Sequence, residues 1–365
     1  MKGVCATLAD EALSPLIRLR TACSATFSHK GRRTIGTAVL ALALTACGQA
    51  ASQQVAPPDP DQWRNITVTE TPVDLGAAKV GALTFRGGVQ LRSTDYAFGG
   101  LSGLVVLDDG RLIAISDNGD WLSARIALNE AGDLVGITEP RMALMRGEDG
   151  QPFADKEAGD SEDVTQLPDG RFAVSFEQVQ RVRIYDLNRD GPFGAAQRAP
   201  ALAEAQLLPH NEGLEALTTD QSGALIVGAE HGDQRGHMIW RAPLDAQSPV
   251  PPLARFRMRA GYGLAGFARL PNGDILALER FFAPVVGIRI RLEQLDHGAL
   301  EQGRAEAREI AYFGPPLSID NFEGVSAVRR ADGGVRLYLI SDNNFSRRQR
   351  TLLYAFDLDL PAAAH

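Results

Sequence analysis

From residue 66 onward, short apolar stretches alternate with polar turns, and no segment holds a helical period for more than two turns. Residues 66–73 alternate in the Ile-Thr-Val-Thr manner of a strand, and residues 80–91 supply another strand or two. After Phe98-Gly99-Gly100 one unit returns five times, beginning at residues 102, 162, 212, 265 and 323. The copies read Ser102-Gly-Leu-Val-Val-Leu, Glu162-Asp-Val-Thr-Gln-Leu, Glu212-Gly-Leu-Glu-Ala-Leu, Ala265-Gly-Phe-Ala-Arg-Leu and Glu323-Gly-Val-Ser-Ala-Val. Each meets a Gly-bearing turn, such as Asp109-Gly110 or Asn272-Gly273, and a second apolar strand follows. That strand ends on a polar group: Asp117, Glu177, Glu230, Glu279-Arg280 or Asp342.

The spacings of 60, 50, 53 and 58 residues suit four strands with short turns, the size of a propeller blade. The fold expected is all-β: a β-propeller with five visible four-stranded blade repeats. The last repeat supplies three strands (322–328, 335–341 and 351–358) and leaves an open edge, so an N-terminal strand is expected to close the ring. Six blades are the alternative, if residues 63–97 build most of a blade. Residues 300–309 read as a short helix or an edge strand.

Composition divides the chain further. Lys30, Arg32 and Arg33 precede an apolar run at 34–45 that is too short to span a bilayer. The run ends in Leu44-Thr45-Ala46-Cys47, which resembles the lipobox of bacterial lipoproteins, where the cysteine is acylated. Residues 1–46 are therefore expected to be a signal segment, 47–62 a tether lipidated at Cys47, and 63–365 a single propeller domain. That places the protein in the cell envelope, exported and lipid-anchored on the periplasmic side. No cysteine follows Cys47, which rules out disulfides and thiolate metal sites in the fold. Residues 47–365 carry 31 basic and 43 acidic groups, a net charge of −12. Nucleic acid is thereby disfavoured as a partner, and membrane contact is expected only through the anchor.

Five stretches resemble the phytase-like propeller family described as having esterase-like activity: residues 98–104, 116–119, 160–163, 211–215 and 321–324. In the related alkaline phytases, carboxylates at the channel mouth hold calcium ions that in turn hold substrate phosphates. The resemblance implies that role for the matching acids, although Ser102 and Ala265 interrupt the pattern.

The residues themselves point the same way. Innermost strands line a propeller's channel, so Glu162, Glu212 and Glu323 are expected at one level. Asp117, Glu177, Glu230, Glu279 and Asp342 form a second set at the same end. Crowded carboxylates repel one another, and a hard cation such as Ca²⁺ relieves them. Magnesium suits a wetter site, and zinc lacks histidines here. Arg280 falls where other blades carry an acid and could clamp an anionic ester, while His231 is placed to act as general acid or base. Gly-x-Ser-x-Gly and His-Glu-x-x-His motifs are absent, and Ser102 reads as a blade-start residue. The function expected is hydrolysis of phosphate or carboxylate esters by a calcium-dependent monomer acting on a small anionic ester. A non-catalytic binding module and a calcium-dependent lactonase are the alternatives.

Overall fold

Glycine turns, Asp-Gly or Asn-Gly in four repeats and Ser222-Gly223 in the third, fold each repeat into an antiparallel hairpin, and further strands complete each blade. In a computed structural model, residues 62–358 are described; the leader and Cys47, with its expected lipidation, lie outside the described residues. Blade 1 runs outward through Leu101–Val106, Arg111–Ser116, Asp120–Leu128 and Leu134–Leu144, with Arg64–Asn65 added at its edge. Blade 2 comprises Ser161–Gln166, Phe172–Phe176, Arg181–Tyr185 and Gln197–Arg198. Blade 3 comprises Ala216–Thr219, Leu225–Asp233, Gly236–Ala242 and Pro252–Phe256. Blade 4 comprises Gly263–Arg269, Ile275–Ala283, Gly287–Leu295 and Ala307–Phe313. The segment expected as helix or edge strand contains both, since the short helix His297–Glu301 precedes that last strand.

Blade 5 closes the ring. Its strands Phe322–Arg329, Val335–Ser341 and Thr351–Leu358 are completed by the N-terminal strand Leu83–Ser93, which pairs antiparallel with Thr351–Leu358. Residues 63–97 therefore cap existing blades and build no sixth one. Mixing the two chain ends in one sheet removes the exposed edge that a three-stranded blade would leave.

Five apolar clusters fill the five spaces between blades. Along Arg111–Ser116, Leu112 and Ala114 join the cluster facing blade 5, whereas Ile113 and Ile115 join the one facing blade 2. Both faces of the strand are buried, so its sequence is continuously apolar rather than alternating. Trp121, Trp240 and Phe356 are fully buried in three different clusters. Truncating any one to alanine should cost about 3–5 kcal/mol. Among the described residues no helix is long and apolar enough to cross a membrane.

Candidate functional site

Four inner strands carry a β-bulge near their start. Leu101 pairs with Ser116 and Gly103 with Ile115, leaving Ser102 over. The same slip leaves Ala265 over in blade 4 and Glu323 in blade 5, and sets Glu162 and Asp163 against Ser175 in blade 2. A bulge turns two consecutive residues toward one face, here the channel. Backbone bonds fix the register between blades. The amides of Asp117, Glu177, Glu230 and Asp342 donate to the carbonyls of Gly100, Asp160, Gly213 and Asn321 at 2.8–2.9 Å. Two residues beyond those carbonyls lie Ser102, Glu162, Glu215 and Glu323.

This register corrects the expected ring. Glu215, and not Glu212, stands level with Glu162 and Glu323. Glu212 lies at the rim, where its Oε2 is 2.5 Å from His231 Nδ1. The Glu-Gly dipeptide at 212 imitates the one at 323, and that likeness misaligned the repeat. The distance to the turn glycine carried the better signal, because Ser102, Glu162, Glu215 and Ala265 each precede theirs by eight residues. Glu279 is likewise displaced from the second set. Gly263 pairs with Arg280, so Arg280 holds the position of Asp117, Glu177, Glu230 and Asp342. Glu279, its neighbour on the strand, points to the opposite face and is fully buried against Arg291 at 2.7 Å.

At the mouth eight carboxylates (Asp117, Asp160, Glu162, Glu177, Glu215, Glu230, Glu323 and Asp342) meet two cations. Arg280 donates from Nη1 to Glu323 at 2.7 Å and to Asn321 at 2.9 Å, and from Nη2 to Glu230 at 3.3 Å. Lys156 bonds Asp117 at 3.0 Å and Asp160 at 2.6 Å. The remaining charge is uncompensated, and the acids respond. Burial, reinforced by Asp160 and Glu177, pushes Glu162 well above the usual carboxylate range. Burial and the neighbouring Glu162 and Glu230 do the same to Glu215. Burial followed by Asp160 raises Glu177 to about 7, and burial followed by Glu323 raises Asp342 to about 8. Burial also raises Asp117 against the pull of Lys156, and raises Glu230 and Glu323 against Arg280. Glu177 and Glu215 bring carboxylate oxygens within 4.8 Å of one another, so ionising both is costly.

Two groups of three carboxylates bring ligand oxygens within 4.8 Å of one another: Asp160, Glu162 and Glu177, and Glu177, Glu215 and Glu230. Glu177 belongs to both. Asp117 sits apart from these groups and keeps a buried Oδ1 with no hydrogen-bond partner. Lys156 lies outside the repeated unit, and Asp160 takes a position that Gly100, Gly213 and Asn321 fill in other blades, so no recurring acid marked either as a site residue.

Below the acids, Asp163 spans the axis. Its carboxylate accepts the amides of Val164 and Leu217 at 2.8 Å and of Phe267 at 3.2 Å, tying blades 2, 3 and 4 together. Gly103 makes room for it, since a Cβ there would lie 2.7 Å from Asp163 Cα. A cavity of about 410 Å³, lined by Thr165, Thr218, Ser326 and Arg269, opens at the far end. A second cavity of about 530 Å³ lies beside the acids themselves, between Glu212, Glu230, His237, Arg257 and Tyr262.

No curated protein matches the chain. Solved structures similar to it include a PQQ-bound aldose sugar dehydrogenase from Streptomyces coelicolor, at 15% identity over 80% of this chain and 99% of that chain, with a TM-score of 0.40. A virginiamycin B lyase from Staphylococcus aureus is 10% identical over 80% of this chain and 100% of that chain, with a TM-score of 0.40. A gluconolactonase from Xanthomonas campestris is 12% identical over 82% and 99%, with a TM-score of 0.37. Such distances carry nothing about chemistry. Residues 96–345, spanning most of the propeller, match the phytase-like family described as esterase-like activity of phytase, and the chain belongs to that family.

Proposed function

We propose that the protein hydrolyses phosphate or carboxylate esters at its acidic mouth, with calcium as the cation held there. The observation that carries this reading is the pair of three-carboxylate groups sharing Glu177, with Lys156 and Arg280 as the cations bonded to the acids around them. The donor set is all oxygen and includes no histidine or cysteine, which suits a hard ion of loose geometry and not zinc. Asp160, Glu162, Glu177, Glu215 and Glu230 would hold it. When bound, calcium would supply positive charge to an oxygen of the ester and to the negative charge that develops there during attack.

The chain's own groups have separate tasks. Glu212 accepts from His231 Nδ1 and so leaves Nε2 as the imidazole's basic nitrogen, free to take a proton from an attacking water or return one to the leaving alcohol. Arg280 holds Glu230 and Glu323 in place, opposes the rise that burial imposes on them, and presents a fixed positive charge to an anionic substrate. Asp163 and its partners keep blades 2, 3 and 4 in register beneath the site. The leader and Cys47 motif support an exported, lipid-anchored protein that meets small anionic esters in the cell envelope.

The test is an assay of the purified protein against aryl phosphates, phytate, aryl esters and lactones, with calcium and with a chelator. Turnover of an acyclic ester that vanishes on chelation and in Glu177→Gln is the expected result. Activity indifferent to both would defeat the proposal. No turnover, with a melting temperature still raised by calcium, would favour the binding module. Preference for cyclic esters would favour a lactonase.

A further inference from the structure

Among the described residues, five non-glycine residues have φ in the left-handed region: Glu139, Gln178, Glu204, Asn344 and Phe345. Three of them lie in turns that directly follow an acid of the mouth, Glu177 or Asp342. Asn344 and Phe345 are the one consecutive pair, with φ of 48° and 47°. Asparagine visits this region with some ease, but a bulky aromatic does so only when its surroundings impose it.

The surroundings here are the site's own residues. Asp342 Oδ1 accepts the amide of Asn344 at 2.6 Å. Asn343 Oδ1 accepts the amides of Phe345 at 3.0 Å and of Gly100, in blade 1, at 3.1 Å. The clasp lays the Phe345 ring on Gly99-Gly100. A Cβ on Gly99 would fall 2.8 Å from Phe345 Cδ1, and one on Gly100 would fall 2.5 Å from Phe345 Cε2 and 2.1 Å from Asp117 Oδ1. The ring therefore adjoins the buried, unpartnered oxygen of Asp117. Yet 43% of Phe345 remains exposed. Packing alone does not account for a strained backbone that holds an aromatic face toward water, since burial is what makes such a side chain stabilising.

We infer that Phe345 is a specificity-determining residue, an apolar lip against which the organic part of an ester rests while its anionic or carbonyl end meets the acids. The preferred substrates are then esters with an aryl or bulky alkyl group beside the reacting centre. The identity of this ligand rests on the ester-hydrolase reading, whereas the apolar contact can be measured without turnover.

The probes are phenylphosphonate and methylphosphonate, non-hydrolysable anions that differ only in the group offered to the lip. Calorimetry in calcium should show the intact protein binding the phenyl compound about tenfold more tightly, a common worth for one well-placed apolar contact. In Phe345→Ala and Phe345→Gly that preference should shrink to about twofold or less, and Phe345→Leu should retain most of it. Phe345→Gly removes the backbone strain, so its melting temperature should not fall below the parent's, which separates lost contact from lost folding. A protein that hydrolyses no ester but shows this loss of preference would end the hydrolase reading and keep the lip. Absence of a phenyl preference in the parent, or an unchanged preference in Phe345→Ala and Phe345→Gly, would overturn the lip, whatever the assays of turnover show.

Discussion

The two ends of the propeller carry the same kind of residue in opposite circumstances. At the turn end, Asp109, Asp169, Asp220 and Asp274 all lie below the usual carboxylate range. The Arg111 amide holds Asp109 there, and the Arg171 side chain holds Asp169. At Asp220 burial works upward but is outweighed by Ser222, Arg241 and the Ala224 amide. Asp274 repeats that balance with His297, Gln294 and Asn272. At the mouth Glu162, Glu177, Glu215 and Asp342 are all raised, because burial and like charge act together with too few donors to answer them. Carboxylates that close turns are satisfied within the fold. Those at the mouth crowd one another instead.

The sharpest way to break this contrast is Glu177→Gln. Removing the one carboxylate common to both groups should lower calcium-dependent turnover by more than about a hundredfold, beyond what loss of an outer partner usually costs. In chelator the same variant should melt no lower than the parent, since it removes repulsion. His231→Ala should lower kcat by about a hundredfold, with Glu212→Gln costing less because it leaves the imidazole in place. Steady-state kinetics at saturating calcium read both.

The pH dependence of stability separates the ends without activity. A raised carboxyl holds its proton more tightly folded than unfolded, so its contribution to stability falls as pH climbs from the unfolded value near 4 through the folded one. For Glu177 and Asp342 that window closes at about 7 and about 8. The turn-end carboxyls have lowered values, so their contribution is present above about 4 and is lost as pH falls through the folded values. Chelated protein should therefore melt highest on the acid side of neutrality, in scans from pH 4 to pH 9. A smaller effect tests the turn end alone. Asp220 accepts from Ser222 N, Ser222 Oγ, Ala224 N and Arg241 Nε, so Asp220→Ala should cost about 1–3 kcal/mol in denaturant unfolding. Asp109→Asn, at an exposed pair with Arg111, should stay within about 1 kcal/mol.

Much of this was legible in the chain. Turn glycines and continuous apolar strands marked five blades, and a last repeat one strand short pointed to closure by the N-terminus. Asp117, Glu177, Glu230 and Arg280 could be aligned because each lies seven residues after its turn glycine, and Asp342 repeats the Ser-Asp-Asn of residues 116–118. The inner strand was harder, since a bulge shifts register by one residue and leaves no composition of its own. Glu215 was hidden behind the more familiar Glu-Gly at 212. Lys156 joins the site from outside the repeat, and Asp160 from a position where other blades carry Gly100, Gly213 and Asn321. The left-handed turn at Phe345 could not be read at all, because nothing in that residue type asks for it.

Calcium binding by the mouth carboxylates is the centre of the proposed function. Its most direct test is the melting temperature of the purified protein at pH 8, with chelator and then with calcium at about a hundred times its dissociation constant. Linkage then gives about 2.7 kcal/mol for one site, which predicts a rise of several degrees that is greatly reduced in Glu177→Gln. Equal melting temperatures with and without calcium, in parent and variant alike, would contradict it.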